Sequence, residues 1–446
     1  MANTYLSRTS GSPTNALKWT YSFWVKISSL STVDDTFLLD FNTDDNNRSN
    51  IGFNGSQQLV VYEKVSGSTS QLFTSNRLFR DSSAWMHIVV SCDRTLSTAG
   101  DRTKIYINGV QETSWSSQTN PAQNTTGIIN TAVSTLIGKY SQNTYYFDGS
   151  LTHVHFVDGT AYAASTFGES DSVSGIWKPK TAPSVTYGTN GFFLKFENSG
   201  AMGTDSSGNT NTFTVSGNLT QNVDTASNNF ATLNPLVSRK GTLTNGNLTH
   251  EGSGATAPNN VISSLGVTSG KFYIEAKIIT ANNYNGFGVV TEKNPYVNSG
   301  TDYLSNSNDA LMYVYSDIYR GGGTISGTYA TLATNDIVQI AIDADNKFLY
   351  FGVNGTWQNS SDPTSGATGT GALNMTTYLG SDVTFFVAAE TGGASNTRKI
   401  EFNFGQGYFG TTAVASAGTA PSEGGIFEYN CPNGYQSLCT KGINSF

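Results

Sequence analysis

Apolar and polar residues alternate over many short stretches of this chain, a pattern typical of half-buried β-strands. The clearest stretch runs from Tyr21 to Ile27, where tyrosine, phenylalanine, valine and isoleucine alternate with serine, tryptophan and lysine. Further strands are predicted in the first half at 36–41, 51–53, 58–62, 85–90, 103–107, 110–112, 135–140, 150–157 and 192–196. No stretch has an apolar period of about 3.6 residues, so the pattern predicts an all-β chain.

A second set of alternating stretches follows after a long polar interval. Strands are predicted at 271–278, 286–290, 336–343, 348–353, 383–389 and 398–404. Asn108-Gly109 and Asn354-Gly355 each follow a strand, and both residues of such a pair tolerate positive φ, which predicts type I′ hairpin turns. Several short strands joined by polar turns favour antiparallel β-sandwiches.

The interval between about 221 and 260 loses its alternation and becomes rich in asparagine, threonine, glycine and serine. Leu233-Asn234-Pro235-Leu236 interrupts any strand there, because proline cannot donate to a sheet ladder. A length of 446 residues also suits two sandwiches of about 200 residues each. We therefore predict domains at 1–221 and 222–430, followed by a C-terminal tail at 431–446.

Composition narrows the function classes. Aromatic residues make up 12% and charged residues 13% of the chain, which is too aromatic for a disordered protein. The net charge is −8 and no cluster of lysine and arginine is present, so nucleic acid is not an expected partner. No run of about 18 apolar residues occurs, and the first residues lack a basic and an apolar region, so neither membrane insertion nor a secretory signal is expected.

The chain has three cysteines, which is an odd number and a small one for its length, so a disulfide framework is not expected. Folding in a reducing cytoplasm is expected instead. Cys431 and Cys439 are close enough in sequence to bridge or to stay reduced, and the sequence leaves both states open.

The first half resembles the laminin-G-like jelly rolls of the concanavalin A-like lectin and glucanase group over about residues 1–215. The motifs that carry the resemblance are Tyr21-Ser22-Phe23-Trp24-Val25, Trp85-Met86-His87, Lys104-Ile105-Tyr106-Ile107-Asn108-Gly109, Ile137-Gly138 and Phe147-Asp148-Gly149-Ser150-Leu151. The resemblance implies a concanavalin A-like sandwich.

The second half resembles the SPRY family, which has a related sandwich, over about residues 224–429. The motifs are Lys271-Phe272-Tyr273-Ile274-Glu275, Gly286-Phe287-Gly288-Val289, 336–343, Phe351-Gly352-Val353-Asn354-Gly355-Thr356-Trp357 and Phe402-Asn403-Phe404-Gly405-Gln406. The resemblance implies interaction through loops at one end of the sandwich, and no contact residue carries over.

No catalytic motif identifies itself. Glucanases of this group carry a Glu-x-Asp-x-x-Glu strand that places carboxylates on one face. The nearest string, from Glu169 to Ser174, lacks the second glutamate, and an acidic loop is the simpler interpretation. We expect no enzymatic activity.

Calcium is the one cofactor candidate. Oxygen ligands crowd Asp40, Asn42, Asp44 and Asp45 after a predicted strand. The spacing fails as an EF-hand, because Asp45 stands where glycine is required and Ile51 where the bidentate glutamate belongs. The alternatives are a calcium site of another geometry at a sandwich rim and a solvated acidic turn.

Aromatic side chains in predicted loops are the candidates for sugar binding, because sugar rings stack on aromatic faces. The candidates for glycan binding are Trp115, Tyr145, Tyr146, Tyr296 and Trp357. Each could equally pack at a sandwich edge.

The low charge, the polar turns and the tandem sandwiches together resemble those of bacteriophage virion proteins, particularly those of marine phages that infect cyanobacteria. Two phrases carry this resemblance, at 228–235 and 431–440. It implies a tail-fibre-like or capsid-decoration component that is made in the host cytoplasm and binds a host surface glycan. This component is expected to form a homo-oligomer and to contact other virion proteins. A bacterial lectin-like adhesin and a glycoside hydrolase are the alternatives.

Overall fold

Alternating apolar side chains form strands throughout the computed structural model of this protein, because alternate residues of a strand point to opposite faces of its sheet. The structure describes residues 4–28, 36–142, 145–172, 174–238, 241–252, 259–280, 285–292, 308–321, 323–380, 384–391 and 398–446. The chain divides into two compact units, Met1–Gln221 and Asn222–Phe446, each with its own hydrophobic core. Both units are antiparallel sandwiches, which confirms the predicted fold class.

The first unit is built from two sheets. Its described strands are β1 Tyr5–Thr9, β2 Lys18–Ile27, β3 Thr36–Asp44, β4 Asn47–Phe53, β5 Gln58–Val65, β6 Ser68–Leu78, β7 Met86–Asp93, β8 Thr103–Ile107, β9 Val110–Gln111, β10 Trp115–Thr119, β11 Ser134–Ile137, β12 Gly149–Asp158, β13 Gly168–Ser170, β14 Trp177–Pro179, β15 Phe192–Leu194 and β16 Thr214–Ser216. The eight-stranded sheet has the order β10-β6-β5-β4-β3-β11-β1-β16, and the six-stranded sheet has the order β15-β12-β2-β7-β8-β9.

The core of the first unit lies between these two sheets. Strand β2 contributes Trp19, Tyr21, Phe23 and Val25 from one face, all of them fully buried. The Asn108-Gly109 turn joins β8 to β9 with φ of 49° and 82°, as type I′ geometry requires. The hairpin prediction is therefore confirmed at this turn.

A buried ion pair lies on the inner face of the eight-stranded sheet. Arg94 Nη2 is 2.6 Å from Glu63 Oε2, and both side chains are at most 2% exposed. The carboxylate also accepts hydrogen bonds from Ile128 N (2.8 Å) and Ser70 Oγ (2.7 Å). Arg94 Nη1 donates to Thr125 O at 3.2 Å. These bonds fix the loop at 125–128 to the sheet.

The outer face of the six-stranded sheet is covered by the segment around β13 and β14. His87 is fully buried beneath this segment, where Trp177 Nε1 donates to His87 Nδ1 at 3.0 Å. An indole nitrogen can only donate, so the imidazole proton resides on Nε2, which lies 2.8 Å from Ser22 Oγ. Trp24 stacks on the same ring at 4.8 Å. Burial lowers the pKa of His87 to about 3, and His153 adds to this effect.

His155 is buried under the same segment. Its Nδ1 lies 2.8 Å from the Tyr187 hydroxyl, and its ring stacks on Phe193 at 3.9 Å. Burial is the main reason why the pKa of His155 lies well below the ordinary value for histidine. Two neutral imidazoles therefore help to hold this covering segment in place.

The second unit also contains two large sheets. Its described elements are β17 Thr242–Thr244, β18 Thr249–Gly252, β19 Asn259–Val267, β20 Lys271–Thr280, β21 Asn285–Thr291, β22 Ala310–Val314, β23 Asp317–Arg320, β24 Gly323–Ile325, β25 Ile337–Asp343, β26 Phe348–Val353, β27 Thr356–Trp357, β28 Leu373–Asn374, α1 Met375–Leu379, β29 Phe385–Thr391, β30 Arg398–Asn403, β31 Tyr408–Phe409, β32 Thr412–Ala413, β33 Gln436–Ser437 and α2 Thr440–Ile443. One sheet follows β17-β18-β30-β20-β25-β26-β27, with β28 beside β26 and β33 beside β20, and the other follows β19-β29-β21-β22-β23-β24.

The core of the second unit lies between these sheets. Phe272, Ile274 and Ile340 face Phe287 and Val289 across it, and all are at most 1% exposed. The Asn354-Gly355 turn has φ of 49° and 84°, which confirms the second type I′ prediction.

Residues 431–446, predicted as a separate tail, are part of the second unit. Strand β33 pairs in parallel with β20, and Tyr435 and Leu438 are 1% exposed. The tail prediction fails because these residues carry apolar side chains that complete a second, smaller core on the outer face of the sheet. Cys431 and Cys439 are both buried free thiols.

Glu275 anchors the chain that leads to this C-terminal segment. Its carboxylate accepts hydrogen bonds from Glu428 N and Tyr429 N, each at 2.8 Å, and from the Tyr273 hydroxyl at 2.8 Å. Burial raises the pKa of Glu275 to about 7, although these three donors oppose the rise.

Helices are short wherever the chain is described, and none of them has the length and apolar character that a membrane crossing requires.

Candidate functional site

The outer face of the eight-stranded sheet carries polar and aromatic side chains. On β3, Leu39 and Phe41 point into the core, so Asp40 points to the outer face. Asp40 pairs with Asn50 on β4, and Asn50 pairs with Tyr62 on β5. Because paired residues of neighbouring strands project from the same face, these three side chains form one row across the sheet.

A hairpin after β11 folds over this row. Lys139 and Tyr146 form an isolated antiparallel bridge, and Tyr140 N donates to Tyr145 O at 3.0 Å. The Tyr140 ring stacks on Phe37 at 4.4 Å and is only 8% exposed. The hairpin is thereby attached to the outer face of the sheet by an apolar contact.

Two cations lie between tyrosine rings at this place. Lys139 Nζ is 4.7 Å from the centroid of the Tyr5 ring and 5.6 Å from that of Tyr146. Arg48 Cζ is 5.9 Å from the Tyr62 centroid and 5.7 Å from that of Tyr140. The tyrosine ladder is defined as these six residues, Tyr5, Arg48, Tyr62, Lys139, Tyr140 and Tyr146.

The geometry of the ladder restrains its side chains. Each cation–π contact is worth about 0.5–1 kcal/mol at a partly exposed site, so two contacts per cation limit the rotamers of both partners. Five of the six residues are half-buried, and Tyr140 is buried. Aromatic faces that are already ordered lose little conformational entropy when a ligand stacks on them.

Asp40 lies beneath the hairpin, next to the ladder. Its side chain is fully buried, and among the described residues Ser141 lies beside its carboxylate without forming a hydrogen bond of good geometry. Ser141 Oγ and Arg48 Nε likewise form no hydrogen bond of good geometry with the described residues. Burial raises the pKa of Asp40 to about 6, while Ser141 and Arg48 limit the rise. A buried carboxylate is costly without compensation, so the position of Arg48 beside Asp40 helps to stabilise its charged form.

The structure does not bring the four predicted calcium ligands together. Asp40 lies within β3 rather than in a loop, because that strand runs on to Asp44. Asp44 Oδ1 accepts hydrogen bonds from Asn46 N (2.7 Å) and Asn47 Nδ2 (3.1 Å).

Asp45 instead faces solvent with a 74% exposed side chain and lies 3.4 Å from Arg48 Nη1. The side-chain amide of Asn42 donates from Nδ2 to Asp44 O at 3.5 Å. Over the described residues, no three His, Cys, Asp or Glu side chains converge as metal ligands. The calcium site of another geometry therefore stays a prediction, beside the alternative of a solvated acidic turn between β3 and β4.

The predicted sugar-binding aromatics do not lie together. Tyr145 and Tyr146 lie in the hairpin of the ladder. Trp115 begins β10, is half-buried, and packs edge-on against the core residue Phe73 at 5.2 Å. Trp357, in the second unit, contacts Tyr273 edge-on at 6.4 Å. Tyr296 lies outside the described residues.

The sequence analysis missed five members of the ladder, namely Tyr5, Arg48, Tyr62, Lys139 and Tyr140. Tyr62 was part of a predicted strand, and its alternation with Val61 already placed it on the outer face. The sequence does contain a signal for these residues, because aromatic or cationic side chains occupy outward positions of several neighbouring strands.

Comparisons with known proteins bear on the fold. Residues 2–165 match the family described as the concanavalin A-like lectin/glucanases superfamily. No curated protein matches the chain.

Several solved structures are similar to it at low identity. The SPRY domain of human HERC1 is 17% identical, with 38% of this chain and 96% of that chain covered and a TM-score of 0.29. The TRIM65 PSpry domain is 10% identical, with 39% and 88% covered and a TM-score of 0.29. The SAP-like pentraxin from Limulus polyphemus is 13% identical, with 36% and 71% covered and a TM-score of 0.27. The two antiparallel sheets of the first unit agree with the concanavalin A-like jelly-roll fold that the family match indicates for residues 2–165.

Proposed function

We propose that this chain is a non-catalytic glycan-binding protein of a bacteriophage virion surface, and that the tyrosine ladder is its sugar-binding face. The observation that carries the proposal is the set of four cation–tyrosine contacts that Arg48 and Lys139 make at the outer face of the eight-stranded sheet. The concanavalin A-like fold of the first unit is compatible with carbohydrate binding.

The chemistry of a sugar suits this arrangement. A pyranose ring has an apolar face of C–H groups, which stacks on the half-buried rings of Tyr62 and Tyr146. Its hydroxyls both donate and accept hydrogen bonds. The Arg48 guanidinium supplies donors at the surface, and Asn50 supplies both kinds of group in the next position of the row. Asp40 acts as a positioning residue that holds Arg48 by charge.

The virion part of the proposal is supported by the resemblance of the segments 228–235 and 431–440 to phage structural proteins. On this proposal the protein is made in the host cytoplasm, forms a homo-oligomer, and contacts other virion proteins. Its ligand is a host surface glycan.

Binding is tested with the full chain on a glycan array, followed by affinity measurement for the best saccharide. Tyr62→Ala is expected to weaken binding about ten-fold, because the lost stacking is worth about 1–1.5 kcal/mol. Tyr62→Phe keeps the ring and is expected to bind nearly as well as the unchanged protein.

Tyr315→Ala is the matched control, because Tyr315 is a 40% exposed tyrosine of the second unit. It is expected to leave the affinity unchanged. Equal affinities for all three variants, at unchanged unfolding midpoints, would remove the ladder as the binding face.

Virion placement is tested separately by mass spectrometry and immunogold labelling of purified particles. The proposal expects the protein in the particle fraction and the label on the particle surface. Absence of the protein from purified virions would refute this part of the proposal while leaving glycan binding open to its own test.

A further inference from the structure

Seven Asn-Gly steps occur in the chain, and each is a chemical candidate for deamidation. The steps begin at Asn54, Asn108, Asn190, Asn245, Asn285, Asn354 and Asn433. In this reaction the glycine nitrogen attacks the asparagine Cγ, the C–N bond of the side-chain amide breaks, and ammonia leaves. Water then opens the succinimide ring to aspartate or isoaspartate, so no oxidant or further reactant is needed.

The fold restrains three of these asparagines with two or more side-chain hydrogen bonds each. Asn54 Oδ1 accepts from Ser56 N and Gln58 N, both at 3.0 Å. Asn190 makes two hydrogen bonds to the backbone of Gly11: its Oδ1 accepts from Gly11 N at 2.9 Å, and its Nδ2 donates to Gly11 O at 2.8 Å.

Asn354 closes the hairpin before β27 in the same way. Its Oδ1 accepts from Ile337 N at 2.9 Å, and its Nδ2 donates to Asp336 Oδ1 at 2.7 Å. The nitrogen of Gly355 is itself engaged, since it donates to Gln339 Oε1 at 2.8 Å. Both reacting groups of this step are therefore held.

The other three restrained asparagines have one such bond each. Asn108 Oδ1 accepts from His87 N at 2.8 Å, and Asn285 Nδ2 donates to Thr280 O at 2.8 Å. Asn245 Nδ2 donates to Thr249 Oγ1 at 3.0 Å. Each of these bonds must break before the side chain can turn toward the following nitrogen.

Asn433 differs from all six. Its side chain is exposed, and it makes no hydrogen bond to any described residue. The N–H of Gly434 likewise has no hydrogen-bond acceptor among the described residues. Apart from Gly434 and the two residues next to it in the chain, no atom lies within 4 Å of the position that a Cβ on Gly434 would occupy, so the turn is not crowded by the rest of the fold.

We propose that Asn433 is a site of spontaneous deamidation, and that it is the step of this chain that reacts first in the folded protein. Hydrogen bonds of about 1 kcal/mol each oppose reaction at the other six steps, so Asn433 is expected to react about five-fold faster than the steps held by one bond, and faster still than those held by two.

The product has a structural consequence. Asn433 lies in a turn in which Tyr435 N donates to Pro432 O at 3.0 Å, directly after the buried Cys431. Tyr435 is 1% exposed, and its hydroxyl donates to Pro363 O at 3.2 Å. Aspartate adds one negative charge beside this buried cluster, and isoaspartate adds a methylene to the backbone of the turn.

The test is ageing of the full chain in mildly alkaline buffer, with peptide mass spectrometry over time and an isoaspartate-specific methyltransferase as the second readout. The expected result is a mass gain of one unit that begins at the peptide containing Asn433. Asn433→Gln is expected to remove this early phase, whereas Asn245→Gln, at the most lightly held of the other steps, leaves it unchanged.

A denatured sample separates the effect of the fold from that of the dipeptide. In denaturant all seven steps are expected to react at similar rates, because every one has glycine as the attacking residue. Earlier reaction of any other Asn-Gly step in the folded chain would overturn the proposal, as would a rate at Asn433 that does not exceed the rates of the other six.

Discussion

Replacing Arg94 by methionine is expected to lower the free energy of unfolding of the first unit by about 3–5 kcal/mol, because it leaves a buried carboxylate without its counter-ion. Glu63 is 0% exposed and lies on the core side of β5. The hydrogen bonds from Ser70 and Ile128 remain, but they do not compensate the charge. This is the largest destabilisation that we expect from a single substitution in this unit.

The measurement is denaturant unfolding of the full chain. Fluorescence and circular dichroism, to which both units contribute, are the two readouts. The double variant Glu63→Leu with Arg94→Met is the control, because it removes both charges and keeps apolar volume. It is expected to recover most of the loss, since a buried ion pair is often no more stabilising than well-packed apolar residues. A single variant as stable as the unchanged protein would show that Glu63 is neutralised or hydrated.

Acid is expected to destabilise the first unit through its buried histidines. In the unfolded chain a histidine binds its proton near pH 6.5, whereas burial lowers the pKa of folded His87 to about 3. The unfolded state therefore binds more protons between these values. The stabilisation from the neutral ring is complete above about pH 6.5 and is lost as the pH falls toward 3.

The slope of this loss approaches about 1.4 kcal/mol per pH unit for each such histidine. Asp40 works in the opposite direction in the same unit, because its pKa is raised to about 6 and its protonation favours the folded state. A comparison between variants therefore isolates the contribution of His87. His87→Gln is expected to reduce the slope of unfolding free energy against pH by about 1.4 kcal/mol per unit between about pH 4 and 5.5. Parallel curves for the two proteins would mean that folded His87 takes up a proton readily.

The sequence was most informative where one face of a strand is buried. Strand β8 was predicted at its observed bounds, Thr103–Ile107, and β26 likewise at Phe348–Val353. Buried and half-buried residues alternate in β8, whereas β26 is an unbroken run of apolar residues and glycine, and an Asn-Gly turn marks the end of each strand. Strand β6 was missed, because Ser68–Leu78 is mostly serine, threonine, glutamine and asparagine, and its inward residues include the polar Gln71 and Ser75.

The candidate site was only partly predictable for a different reason. Tyr146 was recognised because it lies in a loop, but its partner Tyr5 is about 140 residues away in sequence and reaches it through the pairing of β1 with β11. Asp40 was interpreted as a loop ligand because acidic and amide residues follow it. The register of β3 against β4 places it inside a strand and beneath a hairpin instead.

The chain after Cys431 shows the same limit. Its mixed composition, with glycine, proline and asparagine, is typical of a tail, yet Tyr435 and Leu438 are deeply buried. Glu275 helps to place them, because its carboxylate accepts hydrogen bonds from two backbone N–H groups of the preceding segment. Such side-chain to backbone bonds leave no periodic signal in the sequence.

The central claim is that the tyrosine ladder binds a sugar, and a crystal structure of the full chain with the best-binding oligosaccharide tests it most directly. The account predicts a sugar ring stacked on Tyr62 or Tyr146, with a hydroxyl bonded to the Arg48 guanidinium. A saccharide bound elsewhere on the first unit, or only on the second unit, with the ladder empty at saturating concentration, would contradict it.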